Sequence, residues 1–391
     1  MKIKKISKRA SLIEVAATKK IELIAKSYPG VISLAQGIPS FSTTSHIREA
    51  AKRAIDQGLV DKYTVGFGIE PLRVAIVKKL KQKNNIKVMP CEIIVTHGAI
   101  QALMAIFLAL LEEKDEVIVL TPDYASHLNQ IQIALGGRKA IQVALDEKNN
   151  EWILNSKKLE KKITKKTKAI LICNPCNPTG KVYSEKELKE IAKIAKKYNL
   201  YIITDEMYED FVFDNKKHIS IASFPEAADR TISVFGVSKS FAMTGWRIGY
   251  IAANQYLIDQ IFKIHDSIIT CPSAVSQYGA LAAIEGPKDI VKSYKEAFLK
   301  RRKIVIDELS KTDKLQLIIP NGAYYAFPKI LIKNIDENDL VLKLIKEAKV
   351  AVIPGSAFGK GGEKHIRISF GQEEDKLKEG LQRLVNYFNK L

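Results

Sequence analysis

Four short stretches of this chain set reactive side chains directly after runs of apolar residues. Thr96-His97-Gly98-Ala99-Ile100 precedes an apolar helical pattern, and small residues at a helix start leave backbone N–H groups open to an anion. Asn174-Pro175-Cys176-Asn177-Pro178-Thr179-Gly180 combines two Asn-Pro steps with a glycine, which forces a turning, extended backbone and displays amide side chains. Thr204-Asp205-Glu206-Met207-Tyr208 puts a carboxylate just past a strand, with a phenol three residues on. Ser238-Lys239 places an amine beside a hydroxyl, and Arg247 follows eight residues after the lysine. Singly, each is surface polarity more often than chemistry. Together they supply a nucleophilic amine, a carboxylate partner for an aromatic nitrogen, phosphate donors and donors to a phenolic oxygen. That inventory fits a lysine imine with pyridoxal phosphate.

Other motifs fail on spacing. Gly355–Gly362 superficially resembles a phosphate loop, but it is one residue short of that spacing and Gly361 stands where a Ser or Thr is needed. No G-x-G-x-x-G follows an expected strand. Cys173-x-x-Cys176 has no second C-x-x-C, and Pro175 and Pro178 keep it extended where a redox pair would open a helix. It reads as two incidental thiols in a turn. The histidines never occur at metal-ligand spacing, so no metal is expected.

The elements that must carry these stretches are short strands alternating with helical periods. Strands are expected at Ile93–Thr96, Val117–Thr121, Lys139–Val143, Ala169–Cys173, Tyr201–Thr204, Thr231–Phe235 and Arg247–Ala252. Helices are expected between them, at 100–111, 124–135 and 185–198, the last opened by Ser184 and Glu187 in a capping box. Such alternation implies an α/β fold with a largely parallel sheet covered on both faces, whose strand C-termini carry the chemistry. After Glu285 the texture changes to a long charged helix, short strands and a final amphipathic helix near residues 373–388. We therefore expect a large unit at residues 46–285 and a smaller α/β unit built from 1–45 and 286–391.

A length of 391 residues favours two compact domains, and 46% apolar with 27% charged residues excludes a disordered chain. The net charge of +19 is spread along the chain, with two denser patches, the N-terminal arm (Lys2, Lys4, Lys5, Lys8, Arg9) and Lys157–Lys168, where lysines recur at i+4. The second patch is expected to be an amphipathic helix with a solvated lysine face. No aromatic stacking set or groove-reading motif accompanies either patch, so no nucleic-acid partner is expected. The longest apolar stretch, Ala99 to Leu111, is interrupted by Gln101 and falls short of the about 20 residues of a spanning helix. The N-terminus lacks a signal-peptide core, and four cysteines are too few for a disulfide framework. These features predict a soluble cytoplasmic protein without membrane contact.

Asn177-Pro178-Thr179-Gly180, Asp205-x-x-Tyr208 and Ser238-Lys239 with Arg247 closely resemble the class I/II aminotransferases of fold type I. The resemblance runs from Leu34-Ala35-Gln36-Gly37-Ile38-Pro39 to His365-Ile366-Arg367-Ile368-Ser369. It implies a large domain with a mostly parallel seven-stranded sheet, a smaller α/β domain, and a homodimer with shared active sites. Lys239, Asp205 and Tyr208 would be catalytic: Lys239 forms the imine and shuttles the proton, Asp205 pairs with the pyridinium nitrogen, and Tyr208 with Asn177 binds the phenolic oxygen. Ser238, Arg247 and the amides of Gly98, Ala99 and Ile100 would hold the phosphate. Tyr124 would stack on the ring, and Tyr63 would reach the phosphate of the neighbouring subunit. Arg367 would fork onto the substrate α-carboxylate, with Gly37, Tyr124 and Asn177 completing the substrate site.

The implied reaction moves the α-amino group of an aspartate-like or aromatic L-amino acid to a 2-oxo acid, 2-oxoglutarate, by a ping-pong cycle. Two features leave the donor open. Ser11-Leu12-Ile13 is more apolar than the Ser-x-Thr of many aspartate-handling relatives, and the stretch around Gly37 is similar to that of relatives using aromatic or sulfur-containing donors. The alternatives are a β/γ-lyase on the same scaffold and an aminotransferase for methionine- or kynurenine-type donors. A cofactor-sensing transcription regulator is not expected, because the 33 residues before Leu34 are too few for a winged helix-turn-helix.

Overall fold

A computed structural model describes residues 6–391; Lys2, Lys4 and Lys5 of the basic arm lie outside the described residues. Seven strands form the central sheet: β1 (Ile93–Thr96), β2 (Glu116–Thr121), β3 (Ile141–Ala144), β4 (Thr167–Cys173), β5 (Tyr201–Asp205), β6 (Thr231–Gly236) and β7 (Gly249–Ala252). Their spatial order is β1-β7-β6-β5-β4-β2-β3. Only β7 runs against its neighbours; the other pairings are parallel.

Successive strand residues point to opposite faces, and both faces of this sheet are dry. Ile118, Leu120, Ile170, Ile172 and Ile202 enter one core, while Val117, Val119, Ala169, Leu171 and Ile203 enter the other. Burial on both sides is why the strands read as continuous apolar runs. The helix Ala99–Leu110, which carries no charged residue, packs its Ala102, Leu103, Ile106 and Phe107 into the second core. On the first face the helix Glu185–Lys197 is amphipathic and starts at the expected box: Glu187 N–H donates to Ser184 Oγ (3.3 Å), and Ser184 N–H to Glu187 Oε2 (2.9 Å).

Beyond the sheet, Tyr325–Ala326, Ile353–Pro354 and Ile366–Ser369 form a small antiparallel sheet. The long helix Asp289–Leu309 and the final helix Glu374–Phe388 pack together beside it. Leu377, Leu381, Leu384 and Phe388 bury the expected helical stripe of the latter. Among the described residues, no helix is long and apolar enough to cross a membrane.

Three expectations need correction. The lysine-rich stretch is not one helix: it is helical only over Ser156–Glu160, and β4 already begins at Thr167. There Thr164 N–H donates to Thr167 Oγ1 (2.9 Å) and Thr164 Oγ1 donates to Glu116 Oε2 (2.7 Å), so local threonine hydrogen bonds replace helical ones. The third strand is not paired at Lys139 and starts at Ile141. The last strand does not start at Arg247 but at Gly249, because Arg247 takes a left-handed backbone, φ 58°.

Candidate active site

The topology gathers the four stretches at one edge. Six strands point the same way, so the residues after β1, β2, β4, β5 and β6 all emerge at their shared C-terminal edge. Because β7 is reversed, its beginning reaches that edge too: Gly249 pairs with Thr96 on one side and Gly236 on the other. This delivers Arg247 to the place where Gly98 and Ser238 already lie. A cavity of about 330 Å³ opens there. It is lined by Gly37, Ala99, Ile100, Tyr124, Asn177, Asp205, Tyr208, Ser238, Lys239, Arg247 and Arg367.

At the anion end, Gly98 has φ 77° and caps the helix Ala99–Leu110. A Cβ there would stand 2.4 Å from Arg247 Nη2, so only glycine lets the guanidinium approach the helix N-terminus. Arg247 is steadied by donating from Nη1 to the Thr244 carbonyl (2.8 Å).

Asp205, at the end of β5, is held from behind. His127 Nε2 lies 3.1 Å from Asp205 Oδ2, and His127 Nδ1 lies 2.8 Å from Asp123 Oδ2. The Met207 N–H donates to Asp205 Oδ1 (3.0 Å). All three side chains of the Asp123-His127-Asp205 chain are buried. Burial opposes the charge on His127, but Asp123 and Asp205 outweigh it and carry the imidazole up to about 10. Burial raises the Asp123 carboxyl while His127 pulls it back.

Lys239 projects toward the middle of the cavity and donates from Nζ to the Gly37 carbonyl at 2.7 Å. Burial lowers its pKa to about 8, helped by the charges of Arg247 and Arg367 and opposed by Asp205. Near neutral pH it is therefore deprotonated far more often than an ordinary lysine. The Gly37 carbonyl also accepts from Tyr324 Oη (3.0 Å), and a Cβ on Gly37 would stand 1.8 Å from Tyr325 Oη. Tyr208 and Tyr325 hydroxyls lie 2.7 Å apart, and burial pushes both phenols up, Tyr325 to about 12. Tyr124 meets His127 edge-on, ring centroids 5.3 Å apart, at the cavity wall.

Arg367 is 1% exposed and pairs with no carboxylate among the described residues. Its Nη1 donates to Asn177 Oδ1 (3.1 Å), its Nη2 to the Ala35 carbonyl, and its Nε has no partner among the described residues. The guanidinium lies over the rings of Tyr325 and Phe358 at 4.7 and 5.0 Å. A buried cation without a counter-charge is costly unless an anion arrives to meet it.

Every expected site residue except Tyr63 lines or borders this cavity; Tyr63 is 88% exposed on the surface of the single chain. Sequence reasoning missed His127 with Asp123, Tyr325 beneath Tyr208, and Thr18 and Lys19, which reach the cavity from the helix Ala17–Lys26. The Asp123-x-x-x-His127 spacing at a helix start after β2 was the available signal for the first pair. Cys173 and Cys176 are buried and unbridged.

A doubly covered, mostly parallel sheet with a lysine, a carboxylate and a buried arginine gathered in one cavity at its C-terminal edge is the arrangement of an α/β enzyme site. The family model for aminotransferases of class I and II matches residues 29–384, and the chain belongs to that family and is an aminotransferase. It is 41% identical over 382 residues to an aspartate aminotransferase of Pyrococcus abyssi, and 37% identical to an aromatic-amino-acid aminotransferase of Thermococcus litoralis. Each alignment covers 97% of both chains. A solved structure of Thermus thermophilus aspartate aminotransferase with maleate superposes with a TM-score of 0.92 at 31% identity, covering 98% of this chain and 100% of that one.

Proposed function

We propose that this aminotransferase works with pyridoxal phosphate on a dicarboxylic donor, aspartate or a close analogue, with 2-oxoglutarate as acceptor. The observation that carries the reading is Arg367, a buried guanidinium left without a carboxylate in the same cavity as Lys239.

The residues present fit the cofactor. Its phosphate is matched by the Gly98–Ile100 helix start, Ser238 and Arg247, where a Cβ on Gly98 would obstruct the cradle. When bound, pyridoxal phosphate supplies an aldehyde and an electron-withdrawing ring. Asp205, aligned by His127 and the Met207 amide, would keep a proton on the ring nitrogen. Asn177 and Tyr208 would donate to the phenolic oxygen, and Tyr124 would cover the ring; all three line the cavity. Lys239 Nζ, its pKa lowered to about 8, would accept the proton from the substrate α-carbon and hold it for redelivery. Arg367 and Asn177 orient the α-carboxylate, so that the bond to be broken faces Lys239.

Lys19 supports the dicarboxylic reading. It lines the same cavity, and it forms no ion pair with another described residue. A second substrate carboxylate would give it a partner. Aromatic donors are the second reading, because Tyr124, Tyr325 and Ile38 make the same wall partly apolar. Tyr63 completes the phosphate site of a second copy in a homodimer. The division at residues 46–285 belongs to the same proposal, supported by the confinement of all seven sheet strands between Ile93 and Ala252. The four free cysteines fit a reducing cytoplasm.

The test is a donor panel with 2-oxoglutarate, read as product keto acids for the parent and Lys19→Ala. We expect aspartate to lead, and Lys19→Ala to weaken kcat/KM for dicarboxylic donors by about tenfold or more while sparing aromatic ones. Equal losses on both donor classes would remove Lys19 from side-chain recognition, and elimination products would replace transamination with the lyase reading.

A further inference from the structure

A second cavity, about 510 Å³, opens behind the two loops that carry Tyr208 and Lys239. Its walls come from the helix Glu70–Lys79 and its continuation, the turn at Glu209-Asp210, the end of β6 and the start of the helix Asp289–Leu309. Six lysines line it, against the carboxylates of Glu209, Asp210 and Glu285. Two lysines are already engaged: Lys79 with Glu209, and Lys83 with Asp210 and, at 3.4 Å, Glu209. Lys78, Lys288, Lys292 and Lys295 form no ion pair among the described residues. The floor is aromatic: Tyr250, stacked on Phe235 with centroids 5.4 Å apart, together with Phe241.

A concave site with surplus positive charge concentrates anions, and a volume of this order suits a small organic ligand. We propose that this cavity is an effector site for a small organic anion bearing at least two phosphoryl groups. The four lysines without an ion pair, of which Lys288 donates to the Ile284 carbonyl at 2.6 Å, meet the phosphoryl oxygens, and the organic body lies against Tyr250 and Phe241. The position couples the cavity to the active site. Glu209 and Asp210 directly follow Tyr208, and Ser240, the neighbour of Lys239, donates from Oγ to Asp210 Oδ2 at 2.6 Å. A phosphoryl group that draws Lys83 away from Asp210 therefore acts on both loops at once.

The cofactor-loaded protein, at about 0.15 M ionic strength to screen loose association, is titrated calorimetrically with inorganic pyrophosphate and with a nucleoside diphosphate. The nucleoside diphosphate should bind once per chain with Kd at or below about 1 mM, more tightly than pyrophosphate, and should shift the donor KM. The double variant Lys288→Gln/Lys292→Gln should weaken both probes by about tenfold or more, with unchanged circular dichroism and cofactor absorbance. No binding up to about 10 mM, or equal affinity in the double variant, would overturn the site. Pyrophosphate binding as tightly as the nucleotide would overturn the aromatic floor's part, and unchanged kinetics at saturation would overturn the effector role. Binding is read without turnover and so is independent of the donor assignment above, and the KM measurement uses whichever donor the panel identifies.

Discussion

His127 Nε2 stands 3.1 Å from Asp205 Oδ2 across 78 residues of sequence, and its other ring nitrogen is fixed by Asp123. The carboxylate that faces the cavity is thus backed by a buried imidazole whose charge two carboxylates sustain.

His127→Gln keeps a donor to one carboxylate but removes the positive charge between two. Leaving buried carboxylates uncompensated costs about 3 kcal/mol or more. The sign with pH follows from the raised value: the stabilisation is complete below the unfolded imidazole's pKa of about 6.5 and is lost as pH rises through about 10. Denaturant midpoints of parent and variant should therefore differ most at neutral and acidic pH and converge in alkali. A constant gap across that range would contradict the charge assignment.

Lys239 should titrate near 8 in the cofactor-free chain. Covalent attachment of cofactor should accelerate as pH rises through that value and then level off. Arg247→Gln removes the largest neighbouring positive charge and should move the inflection to higher pH. Borohydride should fix the cofactor on Lys239, and labelling of another lysine would end the assignment.

Arg367→Lys retains charge but loses the planar fork and the contact with Asn177. We expect kcat/KM to fall by about tenfold to a hundredfold for every donor, since a charge-assisted pair is worth roughly 1.5–3 kcal/mol. A loss confined to one donor class would mean that Arg367 reads the side chain.

Tyr63, exposed in the single chain, is the residue that the proposed function assigns to the phosphate site of a second copy. Tyr63→Phe should weaken cofactor retention, and dilution to monomer should release cofactor and activity together. A monomer with full activity would exclude a shared site.

Much of this site is legible in the chain because its chemistry is local to strand ends. Asp205 at the end of β5, Lys239 after β6, Asn177 after β4 and Gly98 before a helix are each announced by an apolar run and a change of residue type. The capping box at Ser184 and the stripe of the final helix are likewise local, set by hydrogen bonds and side-chain period within one or two turns. What the chain alone left undetermined depends on pairing between distant segments. Nothing local to Gly249–Ala252 says that this strand runs backwards, yet that reversal brings Arg247 to Gly98. The lysine stretch looked helical by spacing, but Thr167 is claimed by a sheet that also buries Ala169 and Leu171, and sheet burial outweighs helical periodicity. His127 reaches Asp205, Tyr325 reaches Tyr208, and Lys19 reaches the cavity only after the sheet order is fixed. Sequence thus determined which groups are available, since that follows from residue type and short-range geometry. Tertiary structure decided which of them meet, since strand order and direction are set by burying both faces of one sheet.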